Sequence, residues 1–293
     1  MAFFCCLCPR ECGSERNEYT GKGYCRQGTL PKVARIAPHF WEEPCISGQK
    51  GSGAIFFSGC VLSCVFCQNS KISVGGYGKT LTIRELSDQI KKLEAVGVHN
   101  INLVSPTPYI DSIIKCFEIY KPQIPIVYNT GGYEKVETLK RLDGIVDIYL
   151  PDMKYAGNDT AKKYSNAENY PEMALQAITE MVRQTGNPVI DDVGIMQKGT
   201  IVRHLILPGN TKNSMMVLDW LKEHFAEKIL VSLMAQYTPL GKAEQYPEIN
   251  RKITAREYNK VLFHFEELNM DGYVQELSSA RKDYVPDFDI SLF

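Results

Sequence analysis

The sequence predicts an α/β fold, namely a partial (β/α)6 barrel of parallel strands that carries an N-terminal Cys-rich metal-binding extension. From about residue 54 onward, six short apolar segments of strand length alternate with longer amphipathic stretches. These segments are largely apolar rather than alternating, and several are rich in Val and Ile, which is typical of strands covered on both faces of a parallel sheet. Six strand–helix units are fewer than the eight that close a full barrel, so we expect an open one.

The individual strands and helices follow from these patterns. Two helices are predicted to begin with a capping box, in which Thr82 precedes Glu85 and Thr254 precedes Glu257. Further helices are predicted over residues 111–120, 134–142, 171–184 and 213–225. The predicted strands cover residues 54–58, 101–104, 124–128, 146–150, 201–207 and 229–235. Residues 186–199 are expected to form a hairpin or a loop insertion.

The chain divides into two parts by pattern. Residues 1–50 lack the strand–helix rhythm and are predicted to form a metal-held Cys-rich cap, whereas residues 51–293 form the barrel. The chain has ten cysteines, which is a high number for the cytoplasm, where disulfides are rare. Cysteines clustered at short spacing in that compartment usually bind metal.

The composition excludes several classes of partner. The net charge is -1, from 33 basic and 34 acidic residues, so no global field attracts nucleic acid or an anionic membrane. No apolar run approaches the roughly 20 residues that span a bilayer, and the first residues lack the pattern of a secretory signal. We therefore expect a cytoplasmic protein that binds neither nucleic acid nor membrane.

Polar and glycine-containing motifs follow each predicted strand. In chain order they read SGC, SPTPY, NTGGY, PDMKY, PGN and QYTP. Because ligands of parallel sheets bind at the carboxyl ends of the strands, the six motifs should face one rim. The sequence thus predicts an active site at the mouth of the barrel.

The loop after the first predicted strand contains Cys60, Cys64 and Cys67 at the spacing C-x3-C-x2-C. Thiolates bind iron–sulfur clusters, and this short spacing lets one loop surround the corner of a cluster. Three local ligands leave one iron with an open position, where a chelating substrate can bind. The alternatives are a zinc site completed by a fourth ligand such as Cys45, or unligated core thiols.

The same loop resembles a known family. The C-x3-C-x2-C spacing after the first strand of a six-unit α/β chain is the radical SAM signature. The longer run GSGAIFFSGCVLSCVFCQN, with CLCPREC near the start, resembles the homologues of pyruvate formate-lyase activating enzyme. Within them the chain is most similar to the branch with an N-terminal Cys-rich leader. The resemblance extends through IYLPDMKY, VRHLILPG and SLMAQYTP, and so covers nearly the whole chain.

The resemblance implies a [4Fe-4S] cluster whose open iron binds the amino and carboxylate groups of S-adenosylmethionine. One-electron reduction then breaks the bond between sulfur and C5′, giving methionine and a 5′-deoxyadenosyl radical that abstracts hydrogen. The cofactors supply this chemistry, and the protein orients them and excludes water. The implied electron donor is a protein such as flavodoxin or ferredoxin, and the implied substrate is a glycyl-radical enzyme or another protein.

The resemblance also assigns roles to residues at the rim. Phe66 is expected near the adenine, and Lys154, in an Asp152-x-Lys154 motif, is expected to approach the cofactor carboxylate. Most family members carry Gly-Gly-Glu after the second strand to meet the methionine amine. This chain has no Glu there, so Ser105 and Thr107, or backbone carbonyls, must serve instead.

Two further candidates lie on predicted strands. Asn129 ends the third strand, where the following glycines allow a close approach of the backbone to a ligand. Arg203 lies within an apolar strand and therefore needs a partner. A bound carboxylate or ribose could provide that partner, which makes Arg203 a candidate cofactor-binding residue.

The leader supplies a second candidate metal site. Cys5, Cys8, Cys12 and Cys25 offer four thiolates, with Cys6 as a spare. Four soft ligands suit tetrahedral zinc or a second iron–sulfur cluster, and the spacing does not choose between them. Free thiols are the alternative.

Three functions are compatible with these features. The first is an activating enzyme that forms a glycyl radical on a partner protein. The second is a radical SAM enzyme that modifies a small molecule, peptide or nucleoside. The third is a non-catalytic iron–sulfur or zinc scaffold, which would bind S-adenosylmethionine weakly and never cleave it.

Overall fold

The computed structural model describes residues 3–279 and Phe288. Its strands are β1 (Phe3–Cys5), β2 (Ser14–Arg16), β3 (Lys32–His39), β4 (Ser52–Phe57), β5 (Lys79–Thr80), β6 (Ile101–Val104), β7 (Ile126–Thr130), β8 (Ile148–Pro151), β9 (Val189–Ile190), β10 (Met196–Leu205), β11 (Leu230–Met234) and β12 (Gly272–Val274). Its helices are α1 (Pro44–Ser47), α2 (Ser70–Ser73), α3 (Ile83–Val96), α4 (Ile110–Ile119), α5 (Val136–Lys140), α6 (Asn158–Ser165), α7 (Tyr170–Thr185), α8 (Thr211–Phe225) and α9 (Ala255–Glu267). None of the helices described is long and apolar enough to cross a bilayer.

All strands except β1 and β2 belong to one sheet. Seven of them, in the spatial order β12-β11-β10-β8-β7-β6-β4, run parallel to their neighbours. β3 pairs antiparallel with β4, β5 with β3, and β9 with β10. Within residues 3–279 the terminal strands β12 and β5 do not pair with each other, so the sheet is open. The predicted partial barrel of parallel strands is confirmed.

The structure also differs from the predicted element list. It adds a seventh parallel strand, β12, whose three residues pair with β11. The expected hairpin in residues 186–199 is confirmed by β9 and the start of β10, which begins at Met196 rather than at residue 201. α6 was not predicted, and α5 begins at Val136, so Glu134 lies before that helix instead of within it.

Part of the leader belongs to the barrel sheet. Its residues Lys32–His39 form β3, the antiparallel neighbour of the first barrel strand, so the predicted boundary near residue 50 falls between two paired strands. Pro38 obscures this strand in the sequence, because proline is confined to sheet edges and irregular positions. Within the described residues β5 pairs only with Lys32 and Val33, so β3 has no second neighbouring strand at Pro38.

Both predicted capping boxes are confirmed. The Thr82 hydroxyl accepts from the Glu85 N–H at 3.2 Å, and the Glu85 carboxylate accepts from the Thr82 N–H at 2.7 Å. Thr254 and Glu257 repeat the arrangement at 3.2 and 2.9 Å. These caps satisfy backbone donors that the first helical turn leaves without partners. They fix the starts of α3 and α9, whose apolar faces pack against the outside of the barrel.

The short leader helix α1 packs inside the barrel. Its residues Cys45 and Ile46 form one apolar cluster with Val127, Ile148 and other inward-facing strand residues. The Asn100 amide donates to the Ile46 carbonyl at 2.8 Å, which fixes the helix to the start of β6. The leader therefore fills the inside of the barrel below the rim.

A buried ion cluster joins the leader to the barrel. Arg203 on β10 donates through Nε and Nη2 to both carboxylate oxygens of Glu43, at 2.8 and 2.7 Å. Its Nη2 also donates to Glu42. All three side chains are nearly buried, with exposed fractions of 12% for Arg203, 8% for Glu42 and 6% for Glu43. The leader supplies the partner that Arg203 requires. A further contact of Arg203 with a bound cofactor stays a prediction.

Replacing Arg203 by Met should destabilise the fold strongly. Glu42 and Glu43 would keep their buried positions without a cation, which typically costs about 3–5 kcal/mol. The free energy of unfolding, measured by urea titration, gives this loss directly. Arg141→Met is the matched control, because the ion pair of Arg141 with Asp111 is far more exposed and such pairs contribute about 1 kcal/mol or less. Equal losses in the two variants would contradict the role of the cluster.

Candidate active site

The motifs that follow the parallel strands meet at one cavity of about 260 Å³. Its wall includes residues from the segments after β4, β6, β7, β8 and β11, together with inward-facing residues of β10. Nine of the ten residues proposed from sequence for the cluster and S-adenosylmethionine line it: Cys60, Cys64, Phe66, Cys67, Ser105, Asn129, Asp152, Lys154 and Arg203. The exception is Thr107. Five of the six predicted rim motifs therefore converge on this cavity, whereas PGN after β10 does not line it.

The cysteine loop is held by backbone contacts to both the leader and the barrel. Gly59 precedes it with a φ of +85°, and a side chain there would collide with Gln27 of the leader. Arg10 of the leader donates to the Val61 carbonyl at 2.9 Å. On the other side, the Val65 N–H donates to the Tyr164 carbonyl at 2.8 Å. The loop conformation therefore depends on chain segments on each side of it.

Each of the three loop sulfurs has a hydrogen-bonding neighbour. The Leu62 N–H donates to Cys60 Sγ at 3.3 Å, and the Ser165 hydroxyl donates to Cys64 Sγ at 3.0 Å. The Ser73 hydroxyl lies 3.4 Å from Cys67 Sγ. Hydrogen bonds to cysteine sulfurs are one of the means by which proteins set the reduction potential of an iron–sulfur cluster.

The chemistry of this donor set fits a cluster. Burial, and then the neighbouring thiols, raise the pKa of Cys60 and Cys67, so a metal cation is needed to stabilise their thiolates. Among the described residues, no three ligating side chains are gathered around a single point. A cluster distributes its ligands over several irons, so three separated thiols suit it. Cys45 packs inside the barrel with Ile148 and does not line the cavity, which is against its role as a fourth zinc ligand here.

Lys154 supplies a positive charge at the rim. Burial opposes that charge, but the Asp152 carboxylate, with which it forms an ion pair, and the Cys64 thiol raise its pKa. The segment is held by Tyr170, which the sequence did not single out. The Tyr170 hydroxyl lies 2.9 Å from the Gly131 carbonyl and 2.7 Å from the Asp152 carbonyl. Lys154 is thus a charged group held beside the cysteine loop.

Aromatic and amide groups complete the wall. Phe66 is buried and meets Tyr237 edge-to-face, with ring centroids 5.8 Å apart. Asn129 accepts from Arg203 Nη1 at 3.3 Å and donates to Glu42 at 3.3 Å. Arg203 therefore faces the cavity while its charge is already balanced by the leader.

Two residues after β6, Ser105 and Thr107, were predicted to contact the cofactor, and only Ser105 lines the cavity. Ser105 lines the cavity with a φ of +57°, an uncommon conformation for a residue other than glycine. Thr107 does not line the cavity, and its hydroxyl donates to Glu134 Oε1 at 2.6 Å. Thr107 was predicted to contact the cofactor, and the structure corrects this because its hydroxyl is used inside the protein.

Glu134 is the site-adjacent residue that the sequence did not identify. It is 1% exposed, and burial raises the pKa of its carboxyl to about 7, against the lowering effect of the Thr107 and Thr130 hydroxyls. The sequence does place Glu134 two residues after the glycine pair of NTGGY, and this closeness to a rim motif could have identified it as a site residue. The predicted helix over residues 134–142 concealed it.

The leader cysteines lie near one another without converging. Cys5 and Cys8 are buried, Cys25 is half-buried, and Cys12 is exposed. The thiol of Cys8 interacts electrostatically with those of Cys25 and Cys5, and that of Cys25 with Cys5 and Cys12. No three of them surround a single point in the described chain. A metal at these four cysteines stays a prediction.

Comparison with known proteins identifies the family. The family described as the Radical SAM superfamily matches residues 54–221, which is more than half of the chain. The match begins in β4, ends in α8 and includes the three-cysteine loop. The chain belongs to the radical SAM superfamily.

Individual proteins and solved structures also match over much of the chain. The chain is 30% identical over 276 residues to "Uncharacterized protein MJ0674" of Methanocaldococcus jannaschii, covering 91% of this chain and 75% of that protein. Among solved structures, Streptococcus suis SuiB bound to precursor peptide SuiA matches with a TM-score of 0.52 at 13% identity. That match covers 76% of this chain, which spans only 48% of SuiB. Methylornithine synthase (PylB) matches with a TM-score of 0.52 at 16% identity, covering 73% and 61% of the two chains. These two structures support the fold.

The raised pKa of Glu134 predicts a pH-dependent stability. An ordinary glutamate in the unfolded chain has a pKa of 4.5, so the folded state loses stability as the pH rises from about 4.5 to about 7, where the unfolded chain releases a proton that the buried Glu134 retains. Glu134→Gln removes this effect. Between pH 5 and pH 8, unfolding titrations should show wild type losing about 2 kcal/mol relative to the variant. Parallel pH profiles would contradict the assigned pKa.

Proposed function

We propose that this protein binds a [4Fe-4S] cluster through Cys60, Cys64 and Cys67 and uses it to cleave S-adenosylmethionine reductively. The observation that carries the proposal is the placement of these three thiols in one cavity with a half-buried lysine and aromatic side chains. Membership of the radical SAM superfamily supports it. The bound cofactors would supply the electron-transfer and radical chemistry.

The side chains of this chain would bind and orient the cofactor. The charged Lys154 ammonium suits the cofactor carboxylate, because a cation and an anion attract strongly at a buried rim. Phe66 and Tyr237 offer aromatic surface for the adenine. The backbone of Ser105 and the Asn129 amide lie on the neighbouring strands and offer further polar groups. Each of these residues is nearly or partly buried, so the cavity would exclude most water around the reacting atoms.

The proposed reaction is hydrogen abstraction from a protein, as in glycyl-radical activation. A second cavity of about 310 Å³ adjoins the first and shares Trp41, Glu42 and Arg203 with it. Its rim carries Phe40 and Trp41, which are 53% and 60% exposed. Exposed aromatic residues beside a cavity are typical of protein-binding surfaces. This supports a protein substrate over the alternative, a small molecule or peptide.

The function is tested by anaerobic reconstitution with iron and sulfide, chemical reduction, addition of S-adenosylmethionine and quantification of 5′-deoxyadenosine. Wild type should form the nucleoside, and Cys64→Ala should fall to background because one cluster ligand is lost. Cys116→Ala is the matched control, since Cys116 lies on α4, is buried in a core cluster with residues of α3, and does not line the cavity. It should retain activity.

The outcomes separate the candidate functions. Nucleoside formation by wild type and Cys116→Ala would establish cofactor cleavage. Wild type that carries a complete, reducible cluster and forms no nucleoside would refute the enzyme and favour a scaffold. Incorporation of deuterium from a labelled partner protein into the nucleoside would then identify the protein substrate.

We also propose a metal at the leader cysteines, either zinc or a second iron–sulfur cluster. The experiment uses a Cys60/Cys64/Cys67→Ala background, so that only leader metal is counted by elemental analysis. Cys8→Ser and Cys12→Ser should abolish the remaining zinc or iron, whereas Cys6→Ser, which alters the spare exposed cysteine, should keep it. Metal-free protein in the parent background would refute this site.

A further inference from the structure

Glu134 holds a buried carboxyl group that has no cationic partner among the described residues. Its Oε1 accepts from the Thr107 hydroxyl at 2.6 Å and from the Thr130 hydroxyl. Its Oε2 is buried and, like the neighbouring Tyr128 hydroxyl, makes no hydrogen bond of normal geometry within the described residues. In the same part of the chain Glu134 forms no ion pair with Lys, Arg or His. A buried carboxyl without a cation reduces stability, so its retention suggests a role in binding.

The titratable groups around Glu134 are acids rather than bases. They are Cys8 of the leader, Tyr128 of β7 and Tyr149 of β8, and burial raises the pKa of each. Thr107 and Thr130 are its remaining polar contacts.

Thr130 connects this carboxylate to the cavity. Of the two threonines bound to Glu134, Thr130 lines the cavity and Thr107 does not. A hydroxyl has one proton to donate, and Thr130 donates it to Glu134. The Gly132 N–H, at 3.3 Å, uses part of the acceptor capacity of the Thr130 oxygen. The remaining lone pair of that oxygen can only accept, so it suits an N–H donor and rejects an acceptor.

The position of Thr130 matches the chemistry of an α-amino acid. The ammonium and carboxylate of methionine are attached to the same carbon, so their binding groups must be neighbours. Thr130 is followed by Gly131, and a Cβ placed on Gly131 would lie 3.7 Å from Lys154 Cε. β7 and β8 pair at this point, with Thr130 opposite Pro151. The acceptor for an ammonium and the cation for a carboxylate are therefore adjacent on the rim.

We propose that Glu134 is a positioning residue for the cofactor ammonium. It accepts the hydrogen bond that the Thr130 hydroxyl donates, and so leaves Thr130 Oγ1 as an acceptor in the cavity. This inference rests on the proposed function, because it concerns binding of S-adenosylmethionine at the same site. It provides a route for amine recognition in a chain that lacks Glu after its second barrel strand. In this route the carboxyl group comes from the segment after the third barrel strand.

The test measures binding of two ligands by anaerobic equilibrium dialysis to reconstituted protein with verified cluster content. S-adenosylmethionine carries the amino acid, and 5′-methylthioadenosine lacks it. Thr130→Val and Glu134→Met should weaken binding of S-adenosylmethionine about tenfold, the scale of one hydrogen bond to a charged group. Both variants should leave binding of 5′-methylthioadenosine within about twofold, because neither residue meets the nucleoside.

Two matched variants make the result specific. Thr107→Val removes a hydrogen bond to the same carboxylate oxygen by the same substitution, yet Thr107 does not line the cavity, so its effect should be the smaller. Glu134→Gln keeps an oxygen acceptor for Thr130 and should restore most of the affinity lost in Glu134→Met.

Two outcomes would overturn the inference. Equal losses in Thr130→Val and Thr107→Val, or equal losses for both ligands, would show a purely structural role for Glu134. Wild type that binds 5′-methylthioadenosine but shows no added affinity for S-adenosylmethionine would refute amino-acid recognition and the proposed function together. The control nucleoside therefore separates failure of this inference from failure of the function.

Discussion

The arrangement of this protein depends on one buried guanidinium. Arg203 lies on the inner face of β10, where an unpaired charge would be costly, and it is neutralised by Glu42 and Glu43 from the leader. Meeting that requirement brings the leader into the barrel and places α1 beneath the cavity. The electrostatic constraint on one side chain thus couples the cap, the barrel and the floor of the site.

The leader also supports the rim from outside. Arg10 contacts the cysteine loop and the end of α6, while Gln27 packs against Gly59 just before Cys60. The rings of Tyr24 and Tyr133 lie on the Arg10 guanidinium. Leader residues therefore restrict the conformation of the three-cysteine loop, and a restricted loop loses less conformational entropy on binding a ligand. The N-terminal extension is part of the site's construction.

Much of this could be predicted from sequence because the relevant signals are local. Apolar segments predicted the barrel strands, two Thr–Glu pairs predicted the starts of α3 and α9, and the cysteine spacing predicted the loop. The features that were not predicted depend on contacts with residues from other parts of the chain. Arg203 lies 160 residues from Glu43, and β3 becomes a strand through its pairing with β4. Glu134 was assigned to a helix. Its buried position could not be predicted, because it depends on contacts with hydroxyls from two other segments.

The central claim is that the three thiols hold a cluster with one iron free to bind the cofactor. It is tested most directly by the electron paramagnetic resonance spectrum of the reconstituted, reduced protein before and after addition of S-adenosylmethionine. Our account predicts a reduced [4Fe-4S] signal in protein with intact Cys60, Cys64 and Cys67, and a clear change of that signal when the cofactor is added. A fully reduced cluster whose spectrum is identical with and without the cofactor would contradict it.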